Sequence, residues 1–259
     1  MEISAVGRAE EITRYASASG GRVDPYVIYQ MNFEALGGEK NVKSASTFYC
    51  KGEMDQDGYK VSIEEYISKP LKNLRIISNK TLVLLKDGND GQKMWADRNG
   101  KVSTVDYSSL PAREVQQMWA EYAYMDRNNT MFTSTSARKV SVDGASCYEI
   151  KIRNNVTDEI VTQYYDAKTF LLKRELRETD DSRTQTDYSD YRTVDNIKMA
   201  FKVDKTDLKA DVTQSIIWDM IEKDVFILDS LFTPPDDNSR PKNNAALLRQ
   251  IGANLDAYA

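Results

Sequence analysis

Apolar and polar residues alternate along most of this chain in runs of strand length. From Tyr59 to Ser68, Tyr59, Val61, Ile63 and Ile67 fall on one face, and Lys60, Ser62, Glu64 and Ser68 on the other. Ile197, Met199, Phe201 and Val203 alternate in the same way with Lys198, Lys202 and Asp204. Neighbouring side chains on a strand point to opposite sides, so each run predicts a strand with one apolar and one wet face. Such runs predict strands at 45–54, 58–68, 71–78, 81–86, 92–97 and 101–106. A second group is predicted at 133–142, 145–153, 158–166, 169–178, 184–193, 197–206 and 211–222. Asp57-Gly58, Asn99-Gly100 and Asp143-Gly144 supply turn residues of the kind whose positive φ angles suit hairpins. Few helices are in view to cover the apolar faces. A large curved sheet with so little cover predicts a container for something apolar.

Helical spacing shows in four places. Residues 7–18 read as a polar helix stopped by Gly20-Gly21. Asp24-Pro25 places an N-cap acid before a proline at the first helical position, and Tyr26, Tyr29, Phe33 and Leu36 form the stripe that follows. Gly37-Gly38 ends that helix. From Pro111 to Met125, Val115, Met118, Trp119, Tyr122 and Met125 recur at helical spacing. This broad apolar face fits either a permanent plug in the core or a lid that moves for a ligand, since methionine and aromatics repack readily. A last helix, 243–258, carries Leu247, Leu248, Ile251 and Leu255 after a proline-bearing linker.

Composition narrows the function. The 259 residues can bury a sizeable core, and the net charge of -5 comes without a basic stripe, so a nucleic-acid backbone is excluded as partner. No apolar stretch is long enough to span a bilayer as a helix, and no hydrophobic leader with a cleavage site opens the sequence. Met1 is followed by Glu2 and a polar stretch, which fits a cytosolic protein or a mature chain numbered after removal of its leader. The chain has no histidine, which removes the usual general base and the commonest metal ligand. Ser-His-Asp and Cys-His catalysis are thereby excluded, as are zinc sites that use histidine.

What remains offers little chemistry. Glu64-Glu65, Asp180-Asp181 and Asp236-Asp237 are adjacent acids, which on a strand face opposite ways and form no acid–base pair. Asp87-Gly88-Asn89-Asp90-Gly91 lacks the ligand spacing of a calcium loop and reads as a turn. Cys50 shares the apolar face of Phe48 and Met54, whereas Cys147 faces away from Tyr148, Ile150 and Ile152. Both read as small buried hydrophobes; a disulfide would need their Cβ atoms within about 4.5 Å. Two charges break apolar rows: Glu65 beside Ile63 and Ile67, and Arg174 between Leu172 and Leu176. Each reads either as a strand-end drift that reaches solvent or as a polar anchor inside an apolar cavity, and the second reading has Arg174 facing inward.

Four stretches, in this order, resemble the carriers that move lipoproteins to the bacterial outer membrane, the LolA-like and LolB-like proteins. They are Ala35-Leu36-Gly37-Gly38, Tyr66 through Lys69-Pro70 to Arg75, Tyr164-Tyr165-Asp166 through Thr169 to Arg174, and Phe226 through Asp229 to Phe232-Thr233-Pro234-Pro235. The resemblance spans about residues 24–237. It implies a mainly β fold, one strongly curved antiparallel sheet forming an incomplete β-barrel with helices on its concave side. Residues 1–23 would be a helical extension and 238–259 a linker and terminal helix. It further implies a periplasmic, non-enzymatic carrier for acyl chains of lipids or lipoproteins, without cofactor or metal; the chain is expected to be a monomer, and release of so apolar a cargo calls for an envelope protein partner that competes for it. The alternative use of such a fold is an envelope sensor or interaction module that carries no lipid. Combined with the alternation, these readings give Val61, Ile63, Ile67, Met118, Trp119, Tyr122, Phe170, Leu172, Met199, Phe201 and Trp218 as candidate cavity residues, with Arg174 and Glu65 as polar anchors.

Overall fold

Turns with positive φ close the hairpins that the alternation predicts. In the computed structural model, which describes residues 22–80, 82–98, 100–106, 117, 119–179 and 182–235, Asp57-Gly58, Asp143-Gly144 and Asp195-Asn196 each hold two successive residues at φ > 0. That geometry matches the right-handed twist of the strands it joins. The strands are β1 (Arg22–Val23), β2 (Thr47–Gln56), β3 (Tyr59–Ser68), β4 (Lys72–Asn79), β5 (Leu82–Asn89), β6 (Lys93–Arg98), β7 (Lys101–Asp106), β8 (Phe132–Ser134), β9 (Ala137–Val142), β10 (Ala145–Asn154), β11 (Ile160–Asp166), β12 (Leu172–Glu178), β13 (Arg183–Val194), β14 (Ile197–Asp207) and β15 (Val212–Lys223). Pairing follows the order β1-β9-β10-β11-β12-β13-β14-β15-β2-β3-β4-β5-β6-β7, with β8 also on β10. The neighbours with described pairings are antiparallel, and the two end strands, β1 and β7, do not pair, so the sheet is not closed into a barrel.

Most strands lie within a few residues of their predicted places. The exceptions have local causes. The run expected at 133–142 is two strands, because Thr135 turns its backbone N–H and its hydroxyl onto Lys151 and interrupts the ladder. Asp87 to Asn89 belong to β5 rather than to a turn. The turn comes later, where Asp90 Oδ1 accepts the backbone N–H groups of Gln92 and Lys93. Phe170 precedes its strand in a left-handed conformation (φ 58°), at the end of a turn built on Asp166. The Asp166 carboxylate accepts the N–H groups of Lys168 and Thr169 at 2.9 and 2.8 Å. Burial alone would raise its pKa, but those bonds hold it below the ordinary value.

Helix α1 (Pro25–Leu36) starts and stops as its sequence predicts. Asp24 Oδ1 caps the N–H of Tyr26 at 3.0 Å. Gly37 takes φ 115°, with its N–H on Glu34 O and the Gly38 N–H on Phe33 O. This paired C-terminal closure needs a residue that tolerates left-handed backbone. A side chain is also shut out, since a Cβ on Gly37 would stand 1.9 Å from the carbonyl oxygen of Asn196. A six-residue helix, α2 (Glu39–Ser44), follows; it is too short to show a period in sequence. Of the helix predicted over 111–125, residues 117, 119 and 120 are helical, and a 3₁₀ turn at Ala123–Met125 comes after Tyr122. Residues 111–116 and 118 of that segment, with Val115 and Met118, lie outside the described residues, as do the helices predicted at 7–18 and 243–258.

Contacts gather into two units. Among the described residues, one takes those from 22 to 44 and from 121 to 213; the other takes those from 45 to 120 and from 214 to 235. In the first, Tyr29 of α1 meets Tyr165 and Tyr124 edge-on at 6.1 and 5.7 Å, above buried Tyr148, Ile150, Ile152 and Val161. In the second, Phe48, Met54, Val61, Ile63, Ile77 and Leu85 are buried. Cys50 and Cys147 are both free and buried, one in each unit.

Candidate functional site

In the second unit, strand register turns the alternation into rows of side chains that run across the sheet. Trp218 stands opposite Gly52, Gly52 opposite Ile63, Ile63 opposite Ile77, and Ile77 opposite Leu85. The row on one side of it pairs Met54 with Val61. Two rows lie on the other side: Cys50, Glu65, Arg75 and Asp87, and beyond it Phe48, Ile67, Asn73 and Asn89. Side chains directly opposite one another share a face. Four candidate residues, Val61, Ile63, Ile67 and Trp218, are thus on one face, and Glu65 stands among them. Trp119, in the same unit, is half-buried.

Glu65 has charged company that the sequence reading did not identify. Arg75 forks onto Asp87, with Nε donating to Oδ1 at 2.9 Å and Nη2 to Oδ2 at 2.8 Å. Burial opposes charge on Arg75, yet the Asp87 carboxylate keeps its pKa above the ordinary range. The Glu65 carboxyl is raised, first by burial and then by Asp87, with Arg75 pulling the other way. Beside it the Cys50 thiol is pushed up to about 12, by burial and by Glu65, and stays neutral. Glu64 points to the other face, where it accepts the hydroxyl of Tyr49 at 3.2 Å.

That other face is covered by the chain itself. Phe232 packs on Leu74 and Trp95, with Tyr66, Ile76 and Ile227 around them. Trp95 Nε1 donates to the Phe232 carbonyl at 2.7 Å, and Lys72 meets Asp229 at 2.8 Å. Phe226, Leu228 and Leu231 of the same segment are exposed, Phe226 by 90 %.

The first unit holds the remaining described candidates. Tyr122 packs edge-on against Phe33 of α1 at 5.5 Å. Phe170 stacks on Tyr148, and its carbonyl accepts Asn32 Nδ2 of α1 at 2.8 Å. Leu172, opposite Tyr165, is half-buried. Met199 stands opposite Arg192 on β13, whose guanidinium lies 4.5 Å from the centre of the buried Phe201 ring. Tyr122 and Phe170 therefore gather at α1, whereas Leu172, Met199 and Phe201 sit on strands.

Of the two readings of Arg174, the inward anchor is not the one its strand register favours. The residue pairs with Tyr164, whose neighbour Tyr165 meets α1, so Arg174 faces away from the helix. There it binds Asp143 at 2.8 Å and also Asp187. The extra residue opposite the Tyr164–Tyr165 step shifts the strand's facing, and that bulge is not legible in the sequence. The polar groups on the helix side are others. Tyr165 Oη donates to Gln163 Oε1 at 2.6 Å, Gln163 Nε2 donates to Glu175 at 3.0 Å, and Arg177 joins Glu175 at 3.2 Å and Glu159 at 2.7 Å. In sequence Glu175 and Arg177 read as surface charges.

Among the described residues no group of three or more Asp, Glu or Cys side chains is arranged to hold a metal ion, and no helix is long and apolar enough to cross a membrane. No protein-family model and no curated protein sequence matches the chain. Its fold is nonetheless shared with solved structures. A DUF1329 family protein from Desulfovibrio piger aligns with a TM-score of 0.55 at 15 % identity, over 82 % of this chain and 98 % of its own. A putative outer membrane lipoprotein-sorting protein domain from Vibrio parahaemolyticus aligns with a TM-score of 0.53 at 6 % identity, over 80 % of this chain and 95 % of its own. A LolA superfamily protein from Nitrosomonas europaea gives 0.49 at 10 % identity, over 77 % and 98 %. This chain therefore has the fold found in DUF1329 and outer-membrane lipoprotein-sorting proteins.

Proposed function

We propose that this protein is a non-enzymatic carrier that holds acyl chains of lipids or lipoproteins in the bacterial envelope. The observation that supports this most is the apolar sheet face of the second unit, where Phe48, Met54, Val61, Ile63, Ile67, Ile77, Leu85 and Trp218 lie in adjoining rows. The shared fold with a lipoprotein-sorting domain adds to it. Trp119 of the same unit adds to that face, and Tyr122, Phe170, Leu172, Met199 and Phe201 are proposed as acyl contacts within the first unit. Each buried methylene contributes about 0.8 kcal/mol, so a sixteen-carbon chain gains on the order of 10 kcal/mol gross. Ile63 and Ile77 are already shut off from water. Loading therefore exchanges protein contacts for ligand contacts, and the net gain is smaller than the gross. The same exchange favours release, which a partner could drive by competing for the cargo.

Titrating the purified chain with a fluorescent fatty acid tests the reading. Saturable binding, weakened by Ile63→Asp, is expected; absence of saturable binding overturns it. A second reading, an envelope interaction module, rests on the exposed Phe226, Leu228 and Leu231. A stable protein complex with no lipid in the purified material would favour that one.

A further inference from the structure

We propose that Glu65, set beside the Arg75–Asp87 pair, is a head-group subsite that takes the ammonium of an amine-bearing amphiphile. The inference rests on the carrier reading above and names the ligand class for it. The row Cys50–Glu65–Arg75–Asp87 is flanked on one side by Gly52, Ile63, Ile77 and Leu85, and on the other by Phe48, Ile67, Asn73 and Asn89. An acyl tail lying over the apolar rows on the Ile63 side, with its end turned toward Glu65, would set its polar head at this charged row.

The charges in that row do not cancel. Arg75 spends its fork on both oxygens of Asp87, which makes a closed, neutral pair. Glu65 feels Arg75 electrostatically but takes no hydrogen bond from its fork. Among the described residues no hydrogen bond or ion pair is formed by its carboxylate. Cys50 is neutral, so an ionised Glu65 gives the row one net negative charge, between the apolar row of Ile63, Ile77 and Leu85 and the mixed row of Phe48, Ile67, Asn73 and Asn89. A charge in such surroundings is costly until it is paired. The raised Glu65 carboxyl is in keeping with that cost. A ligand that delivers a cation with its tail removes the penalty, whereas an anionic head would add a like charge beside Glu65 and Asp87. The row is within reach, because the Arg75 and Asp87 side chains remain 33 % and 31 % exposed.

Calorimetric titration of the full chain at pH 7 with dodecylamine, dodecanol and lauric acid, each below its micelle concentration, tests the subsite. Dodecylamine is expected to bind at least about tenfold more tightly than the other two, a difference of about 1.4 kcal/mol. Glu65→Gln is expected to bring it down to the level of dodecanol while dodecanol itself is unchanged. Equal affinity of the amine and the alcohol for the native protein, or a preference that survives Glu65→Gln, overturns the subsite and leaves the carrier reading standing. Failure of all three to bind overturns both. If Glu65→Gln does not fold, the comparison of the three ligands on the native chain still decides.

Discussion

Glu65 carries the most testable physics of any single residue in the chain. Its carboxyl has a folded-state pKa above the ordinary 4.5, because burial and Asp87 together outweigh Arg75. The folded protein therefore binds the proton more tightly than the unfolded chain does. The stability linked to this group is full at low pH and is lost as pH rises from 4.5 through the folded pKa. The groups that face it are Cys50 on β2, Arg75 on β4 and Asp87 on β5. Urea unfolding at a series of pH values should show the native protein losing stability relative to Glu65→Gln across that window. Parallel profiles would show that the carboxyl is not under the strain described. The position of Glu65 in an apolar row was legible from the alternation alone. Its neighbours were not, because Arg75 sits between Leu74 and Ile76 on a strand with apolar residues on both faces, which hides the period of two.

At the scale of elements, the segment after β15 does more than end the sheet. Ile227 and Phe232 cover one face of β3, β4 and β6, and the buried indole of Trp95 ties the segment down through the Phe232 carbonyl. A side chain is shut out at Gly88, since a Cβ there would stand 2.7 Å from the Asn73 carbonyl oxygen and 3.0 Å from the Trp95 ring. Replacing Trp95 by Phe keeps most of the packing and removes the N–H. It should cost about 1–3 kcal/mol in chemical denaturation, the range for leaving a buried acceptor unsatisfied. A change well under that would mean the carbonyl finds water instead. The Phe-x-x-x-x-x-Phe-Thr-Pro-Pro stretch was visible in the sequence. Which of its apolar residues turn inward was not, since short 3₁₀ structure leaves no readable period: Phe232 is buried and Phe226 exposed.

For the whole molecule, the decisive feature is that sequence neighbours are not always sheet neighbours. β2 to β7 form one meander and β9 to β15 another, and β15 returns to pair with β2. Gln214 and Gln56, 158 positions apart, share a buried hydrogen bond at 2.9 Å. Each of the two compact units is consequently assembled from separated stretches of chain. A chain ended at residue 211 would lose β15 and leave the long β2 edge bare. Unpaired edges invite association between molecules, so size-exclusion chromatography should show aggregates where the full chain elutes as a discrete species. A discrete, folded truncated chain would mean that β2 does not need this partner.

The sequence by itself determined the strands, most hairpin turns, and both ends of α1, because each depends on residues close together in the chain: alternation, positive-φ turn residues, an acidic cap and a glycine stop. It also determined that histidine-based chemistry is absent. Only the tertiary structure decided that β15 pairs with β2, that Arg174 faces away from α1, that Arg75 and Asp87 stand in the row of Glu65, and that Phe232 closes over Trp95. Those outcomes depend on register, bulges and contacts between residues far apart in the chain. A one-residue slip in register sends a side chain to the opposite face, and no local pattern records which slip the packed sheet has taken.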